Sequence, residues 1–537
     1  MPNDSFQEHC REIAKRFLLT ALVVDDELSI TGVTNVHGGL TRPGLSPMEP
    51  TPGPPTPQTE DPPRPLGVGA ITSSFARHGM ICGVVAPPNE LDGDAIESLV
   101  RVARRSDIVI LDWRLSRESG QDSLPLLRQI LLADQAHRLR LIAFYTGEPL
   151  ELIRTKIVGR LTDLGGPYGT ATSPENDCDA IQVGPCRIVV YGKRVFQEPA
   201  SSSAVTEDEL PGRLVADFAH MMEGLLPCLV VAALTAVREN VYRILKRFGS
   251  ELDPAFLVHR ACLPVPQDSQ SHIVEQIASE LRGIMGDAVR NSRPAGIEAI
   301  EQWLTDRFQG ASLVFDPGDK EMAMAEIMDM LMHGIEEKPG TLRQRGRDYD
   351  ILSSGFSRDS DDSRELDRRL ASAMSFREVI EDGPQQLSIG TVVRLVESEE
   401  EATLLCVTPK CDSVRLTGPS SFLFLPLIDP KSNTLQLVVR STGSGYERMT
   451  ICMDPARWRT AHFSPDTTPG PVVTSLGEDE TVPLFVDVEK RRYHWVGELK
   501  AEFAQSVAQA IADRMSRIAL NKSEWLRRSE RVGRRTS

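Results

Sequence analysis

Short, continuous apolar runs and longer amphipathic stretches follow one another through the N-terminal part of the chain. FLLTALVVD (17–25) is an apolar run ending in carboxylates, the pattern of a strand buried on both faces. GAITSSFARHG (69–79) has helical spacing and a closing glycine, ICGVVAP (81–87) is strand-like, and DAIESLVRVARRS (94–106) is an amphipathic helix. DIVILDW (107–113) predicts a buried strand, DSLPLLRQILLAD (122–134) a helix, RLRLIAFYTG (138–147) a strand, and CRIVVYGK (186–193) a last strand. Strands alternating with helices of this length predict βαβ units, and hence a five-stranded, doubly wound parallel sheet. Right-handed crossovers then bring the C-terminal ends of all these strands to one edge, where such folds bind ligands.

Two stretches break the rhythm. Ten of the residues from Pro43 to Pro65 are proline, so residues 39–66 predict an extended linker that neither joins a ladder nor fills a core. LTDLGGPYGTATSPENDCDAIQVGP (161–185) intervenes before the last strand, and is expected to distort or replace the helix after the fourth. These elements make a first domain over 1–199. From about Thr206 the pattern turns helical, over 206–340, with Pro227 marking a kink or break and a methionine-rich helix (320–335) whose methionines read as core filling. A charged linker and helix occupy 341–386. GTVVRLV, EATLLCV, SFLFLPLI, TLQLVVR and TVPLFVDV predict a small antiparallel β domain over 387–493, and residues 494–537 a C-terminal helix from His494 followed by a basic tail.

Composition narrows the class. The chain has 537 residues, 25% charged and 40% hydrophobic, and a net charge of −16, which describes folded domains and excludes wholesale disorder. The acidic balance argues against a nucleic-acid binder. No apolar run reaches the ~18 residues of a membrane span, the N-terminus lacks the order of a signal peptide, and the nine cysteines are scattered. Reduced thiols in a cytoplasm are therefore expected.

The chemistry gathers at the strand ends. Asp25 and Asp26 follow the first strand, Asp112 ends the third, Thr146 the fourth and Lys193 the fifth. Three carboxylates on one edge repel one another and call for a cation, and the hard, oxygen-seeking Mg2+ suits them. One carboxylate can then act as a nucleophile toward a phosphoryl group, with the metal and the lysine neutralising the transferred charge. Tyr191, two residues before Lys193, faces the same side of its strand.

VVDDE (23–27), VILDWRL (109–115), FYTGE (144–148) and VYGKR (190–194) together resemble the receiver domain of bacterial response regulators. The resemblance implies a flavodoxin-like fold over residues 15–195, a cytoplasmic signalling role in a phosphorelay, and a histidine-kinase-like ATPase as partner. It implies that Asp25, Asp26, Asp112 and the backbone carbonyl of Arg114 hold Mg2+, and that Asp112 accepts the phosphoryl group. Thr146 and Lys193 would contact that group, and Tyr191 would be a switch aromatic. Beyond transient aspartyl-phosphate formation no enzyme activity is implied. Three departures stand out: the proline-rich insertion, the 161–185 insertion, and Arg194 where receivers commonly carry proline. A receiver-like scaffold that binds partners without phosphotransfer is the alternative, and an aspartate-based phosphate hydrolase a third reading. MMEGLLP, VRENVYRIL, LDPAFLVHRACL and CVTPKCDSVRL resemble a bacterial family built around the same response receiver domain, which implies no activity for the C-terminal two-thirds.

Other candidates carry less. Cys406 and Cys411 lack the ligands a zinc site needs nearby and read as core or turn cysteines. His259 reads as structural. No phosphate-binding loop, nucleophile elbow or helix-turn-helix is present.

Overall fold

The computed structural model describes residues 6–29, 66–88, 92–115, 123–134, 138–162, 164, 168–173, 180–194, 203–291, 296–308, 313–315, 320–334, 353, 355–356, 363–378, 383–396, 401–430, 436–441, 445–476 and 482–516. The proline-rich run, most of the charged run before 363 and the basic tail lie outside them. The chain divides into two compact units, Met1–Ala311 and Ser312–Ser537.

The first unit opens with helix α1 (Phe6–Phe17), which buries Phe6, His9, Cys10, Ile13 and Ala14 on one face. Strand β1 (Thr20–Val24) follows, then a two-residue strand β2 (Leu28–Ser29) that pairs in parallel with β3 (Leu66–Gly67). The expected alternation then appears: α2 (Val68–Arg77), β4 (Ile81–Val85), α3 (Gly93–Ala103), β5 (Ile108–Leu111), α4 (Leu124–Asp134), β6 (Arg140–Thr146) and α5 (Leu150–Leu161). Next come β7 (Ala180–Val183), β8 (Cys186–Lys193), β9 (Ala204–Val205), α6 (Leu210–Met221) and α7 (Leu225–Glu239).

The sheet has seven strands in the order β4-β1-β5-β6-β8-β7, with β9 on β8. Five of them, β4, β1, β5, β6 and β8, run parallel as expected. The expectation of five strands is corrected by the antiparallel β7 and the parallel β9. β7 comes from the 161–185 insertion, which turns back through Gly184 at φ +55°, a backbone that favours glycine. The insertion does not displace the helix before it. α5 is regular and buries Leu150, Ile153, Ile157 and Leu161, while Ala180–Val183 of the insertion pair with β8.

Alternation along each strand separates two cores. Ala21, Val23, Ile108, Ile110, Leu141, Ala143, Tyr145, Val189 and Tyr191 face α1, α2, α6 and α7. Leu22, Val24, Val109, Leu111, Ile142, Phe144, Ile188 and Val190 face α3, α4 and α5. Helices on both faces make the doubly wound, flavodoxin-like arrangement. α6 and α7, read from sequence as the start of the helical region, share the first of these cores through Leu210, Leu214, Phe218, Cys228 and Val231. They meet at a bend of 117°, with Pro227 in the first turn of α7. Among the described residues no single helix is long and apolar enough to cross a membrane.

One buried ion pair ties the helix side to the sheet. Arg140, 1% exposed at the start of β6, donates to both carboxylate oxygens of Asp134, and through Nη1 to the carbonyls of Ala103 (2.8 Å) and Ser106 (3.0 Å).

After α7 the first unit continues through α8 (Val241–Arg247), α9 (Asp253–Cys262), α10 (Asp268–Asn291) and α11 (Ile297–Phe308). His259 is exposed, with Nε2 3.2 Å from Nδ1 of His272.

The second unit holds an eight-stranded antiparallel sheet, so the expected antiparallel β region is present. Three strands beyond the five expected complete it: Tyr446–Ile451, Arg459–Phe463 and Arg492–Glu498. The last of these overlaps the helix expected from His494. Residues 492–498 pair with Thr391–Leu395, and the helix occupies Ala501–Met515, burying Ala504, Val507 and Ile511. Tyr493 and Trp495 favour a pleated surface, which explains the later helix start.

Candidate functional site

The parallel strands bring their carboxyl ends together as the topology requires. Asp25 follows β1 directly; its backbone N–H donates to the Val85 carbonyl (3.3 Å), and that of Asp112, after β5, to the Val24 carbonyl (2.9 Å). The second of these bonds joins β5 to β1 and sets the two carboxylates side by side. Asp25 is 2% exposed and Asp112 9%, while Asp26 is half-buried. One carboxylate oxygen from each of Asp25, Asp26 and Asp112 lies within 4.8 Å of the others.

Lys193, the last residue of β8, closes the cluster. Its Nζ donates to Asp25 Oδ2 at 2.9 Å and to Asp112 Oδ2 at 3.0 Å. The remaining oxygens accept backbone N–H groups, Asp25 Oδ1 from Glu27 (2.8 Å) and Asp112 Oδ1 from Trp113 (2.7 Å). Burial works against the charge on Lys193, yet Asp112 and Asp25 outweigh it and hold the ammonium above its ordinary range. Burial pushes the Asp112 carboxyl up to about 6; Lys193 opposes that rise and the charge of Asp25 adds to it.

Thr146 ends β6 at 1% exposure. Its Oγ1 accepts the Glu148 N–H at 3.3 Å, so the hydroxyl caps its own turn. The Arg114 side chain is exposed and pairs with Glu148 (2.8 Å), joining the turn after β5 to the turn after β6. Tyr191 is 5% exposed, and its hydroxyl donates to the carboxylate of Asp217 on α6. It therefore packs against the helix layer. The aromatic beside the lysine is Tyr145, whose ring centroid lies 5.7 Å from Lys193 Nζ and whose hydroxyl donates to the Val205 carbonyl (3.2 Å).

Sequence reasoning missed Tyr145, Glu148 and Asp217. The first two lie beside Thr146 in FYTGE and were within reach of the motif. Asp217 sits on a helix distant in sequence, and only the tertiary fold shows it.

The arrangement is two carboxylates bridged by an ammonium, with a third carboxylate alongside, at the ligand-binding edge of a doubly wound sheet. Residues 17–198 match the family model of the response receiver domain. The N-terminal third thus matches the response receiver domain, a family of signalling modules, and the resemblance read from the sequence motifs holds. No match was found among curated proteins or among solved structures. Receiver domains hold Mg2+ at an acidic site, and the donors here fit such an ion: all are carboxylate oxygens, and burial with mutual repulsion leaves Asp112 wanting positive charge.

The raised Asp112 carboxyl makes stability depend on pH. A folded-state pKa above the unfolded value means that the folded receiver holds this proton more tightly. Ionised Asp112 therefore lowers stability above about pH 6, and the loss is relieved as pH falls toward about 4. The difference is on the order of 2–3 kcal/mol. Asp112→Asn should melt higher than the wild type near pH 7, with an advantage that shrinks toward pH 4 in urea or thermal unfolding. A pH-independent difference would show that Asp112 bears no such burden.

Proposed function

We propose that the receiver domain accepts a phosphoryl group on Asp112, and that the carboxylate cluster with Lys193 is the machinery for it. The observation that carries this reading is the shared hydrogen bonding of Lys193 to Asp25 and Asp112 at a buried edge. In this reading Asp25, Asp26, Asp112 and the Arg114 carbonyl hold Mg2+, which would supply charge neutralisation for the transferred group. An Asp112 carboxylate oxygen attacks phosphorus, the bond from phosphorus to the donor's leaving atom breaks (an imidazole nitrogen of a phosphohistidine, or the acyl oxygen of acetyl phosphate), and the donor leaves with that electron pair. Lys193 is already positioned to neutralise the phosphoryl oxygens. Thr146 would exchange its bond to the Glu148 N–H for one to the phosphoryl group. The donor is a histidine-kinase-like ATPase in the cytoplasm, and the state passes to partner-binding surfaces of the rest of the chain.

Tyr191 enters this reading through Asp217. Loss of that hydrogen bond on phosphorylation would leave Arg187 as the polar link from β8 to Asp217, loosening α6 against the strand that ends in Lys193.

The test is direct. Full-length protein with acetyl phosphate and Mg2+ should gain one acid-labile phosphate per chain, and Asp112→Ala none. Label that persists in Asp112→Ala refutes the assignment. A second reading, a scaffold without phosphotransfer, is favoured by one fact: Lys193 alone pairs with both Asp25 and Asp112 and offsets part of their charge. Unlabelled wild type whose melting does not respond to Mg2+ would select it.

A further inference from the structure

Two thiols from distant parts of the chain meet in the helical layer behind the sheet. Cys10 lies in the middle of α1 and Cys228 in the first turn of α7, with Sγ atoms 3.1 Å apart. The two residues are 2% and 0% exposed. Cys228 also faces the Met222 carbonyl at 3.3 Å. The hydrogen bond between the two sulfurs links the thiols, pushing Cys10 up and Cys228 down. At Cys82, Cys186 and Cys406 burial is the leading influence, pushing each thiol up to about 12. A cavity of about 10 Å3 beside Cys10, bordered by Gln7, His220 and Glu223, is the size of one water-like molecule.

We propose that Cys10 and Cys228 form a redox-modification site, at which hydrogen peroxide converts the two thiols to a disulfide joining α1 to α7. The thiolate of one cysteine attacks a peroxide oxygen, the O–O bond breaks and the departing oxygen leaves as water, giving a sulfenic acid. The second sulfur attacks it; the S–S bond forms, the S–O bond breaks, and a second water carries away the remaining thiol proton. Two thiols and one peroxide thus give one disulfide and two waters. A dithiol reductant reverses the change by exchange, in keeping with a compartment where disulfides are transient. The bond would fix α1 against the layer containing α6, whose Asp217 holds Tyr191.

The experiment uses reduced full-length protein exposed to a small excess of hydrogen peroxide, then alkylated and mapped by mass spectrometry without reduction. The expected product is a linked peptide pair containing Cys10 and Cys228, lighter by two hydrogens, absent in Cys10→Ser and in Cys228→Ser and lost on dithiothreitol treatment. The oxidised wild type should also melt several degrees higher, since the cross-link restricts the unfolded chain. Free alkylated Cys10 and Cys228 after treatment, or links to other cysteines instead, would overturn the proposal. If the serine variants fail to fold, the wild-type peptide map alone decides it.

Discussion

Lys193→Met should unfold more easily than the wild type by ~3–5 kcal/mol in metal-free buffer, and should take up phosphate ~100-fold more slowly. Both effects come from one ammonium. Nζ hydrogen-bonds Asp25 and Asp112, whose side chains are 2% and 11% exposed. Removing one partner of a buried pair leaves an uncompensated charge, which is where the large figure arises. The kinetic loss is of the size found when one preorganised donor to a developing anion is removed. Methionine keeps the bulk of the lysine stem, so packing changes little. Mg2+ at millimolar concentration should raise the melting temperature of the variant more than that of the wild type, because a cation then replaces the missing charge. Equal Mg2+ responses, or an unchanged stability, would remove Lys193 from the site's electrostatics.

Arg140→Met should be comparably damaging to the fold while touching nothing at the acidic edge. Arg140 satisfies Asp134 through two donors and two backbone carbonyls through a third. Its loss strands a carboxylate that is 5% exposed and leaves two carbonyls unpaired, for a loss of ~3–5 kcal/mol. The double replacement Arg140→Met with Asp134→Leu removes both charges and should recover much of it. Urea unfolding of the four proteins gives the coupling directly. A double variant no more stable than Arg140→Met would show that the carbonyl bonds, and not the ion pair, carry the effect.

How much of this was legible in the sequence depends on the kind of signal. The parallel strands were readable because each is a short apolar run, as in IVIL before Asp112, and because crossover handedness leaves one arrangement for their ends. Asp25, Asp112 and Lys193 meet as a consequence of that topology. Helix α1 was overlooked, although Phe6, Cys10, Ile13 and Phe17 repeat at three- and four-residue spacing; read only as a possible leader, the segment hid its amphipathic face. β7 and β9 escaped because a four-residue and a two-residue strand carry too little pattern to stand out from a loop. The packing of α6 against β8 escaped for a different reason. A helix with one strongly apolar face announces that it is covered, and its sequence does not say by what. Tyr191 shows the same limit: alternation placed it beside Lys193 along the strand, while its hydroxyl partner, Asp217, comes from 26 residues further on.

The short parallel pair β2 and β3 bears on how this receiver can change over evolutionary time. Leu28 pairs with Leu66, and the Leu66 N–H donates to the Glu27 carbonyl at 2.7 Å. The chain therefore leaves and re-enters the fold at adjacent strand positions, ~4.8 Å apart. A connection that starts and ends at neighbouring strand positions is cheap to lengthen, since doubling a flexible loop adds only ~0.6 kcal/mol of closure entropy. A change of length between Ser29 and Leu66 would therefore leave untouched the acidic pair that begins three residues before Leu28.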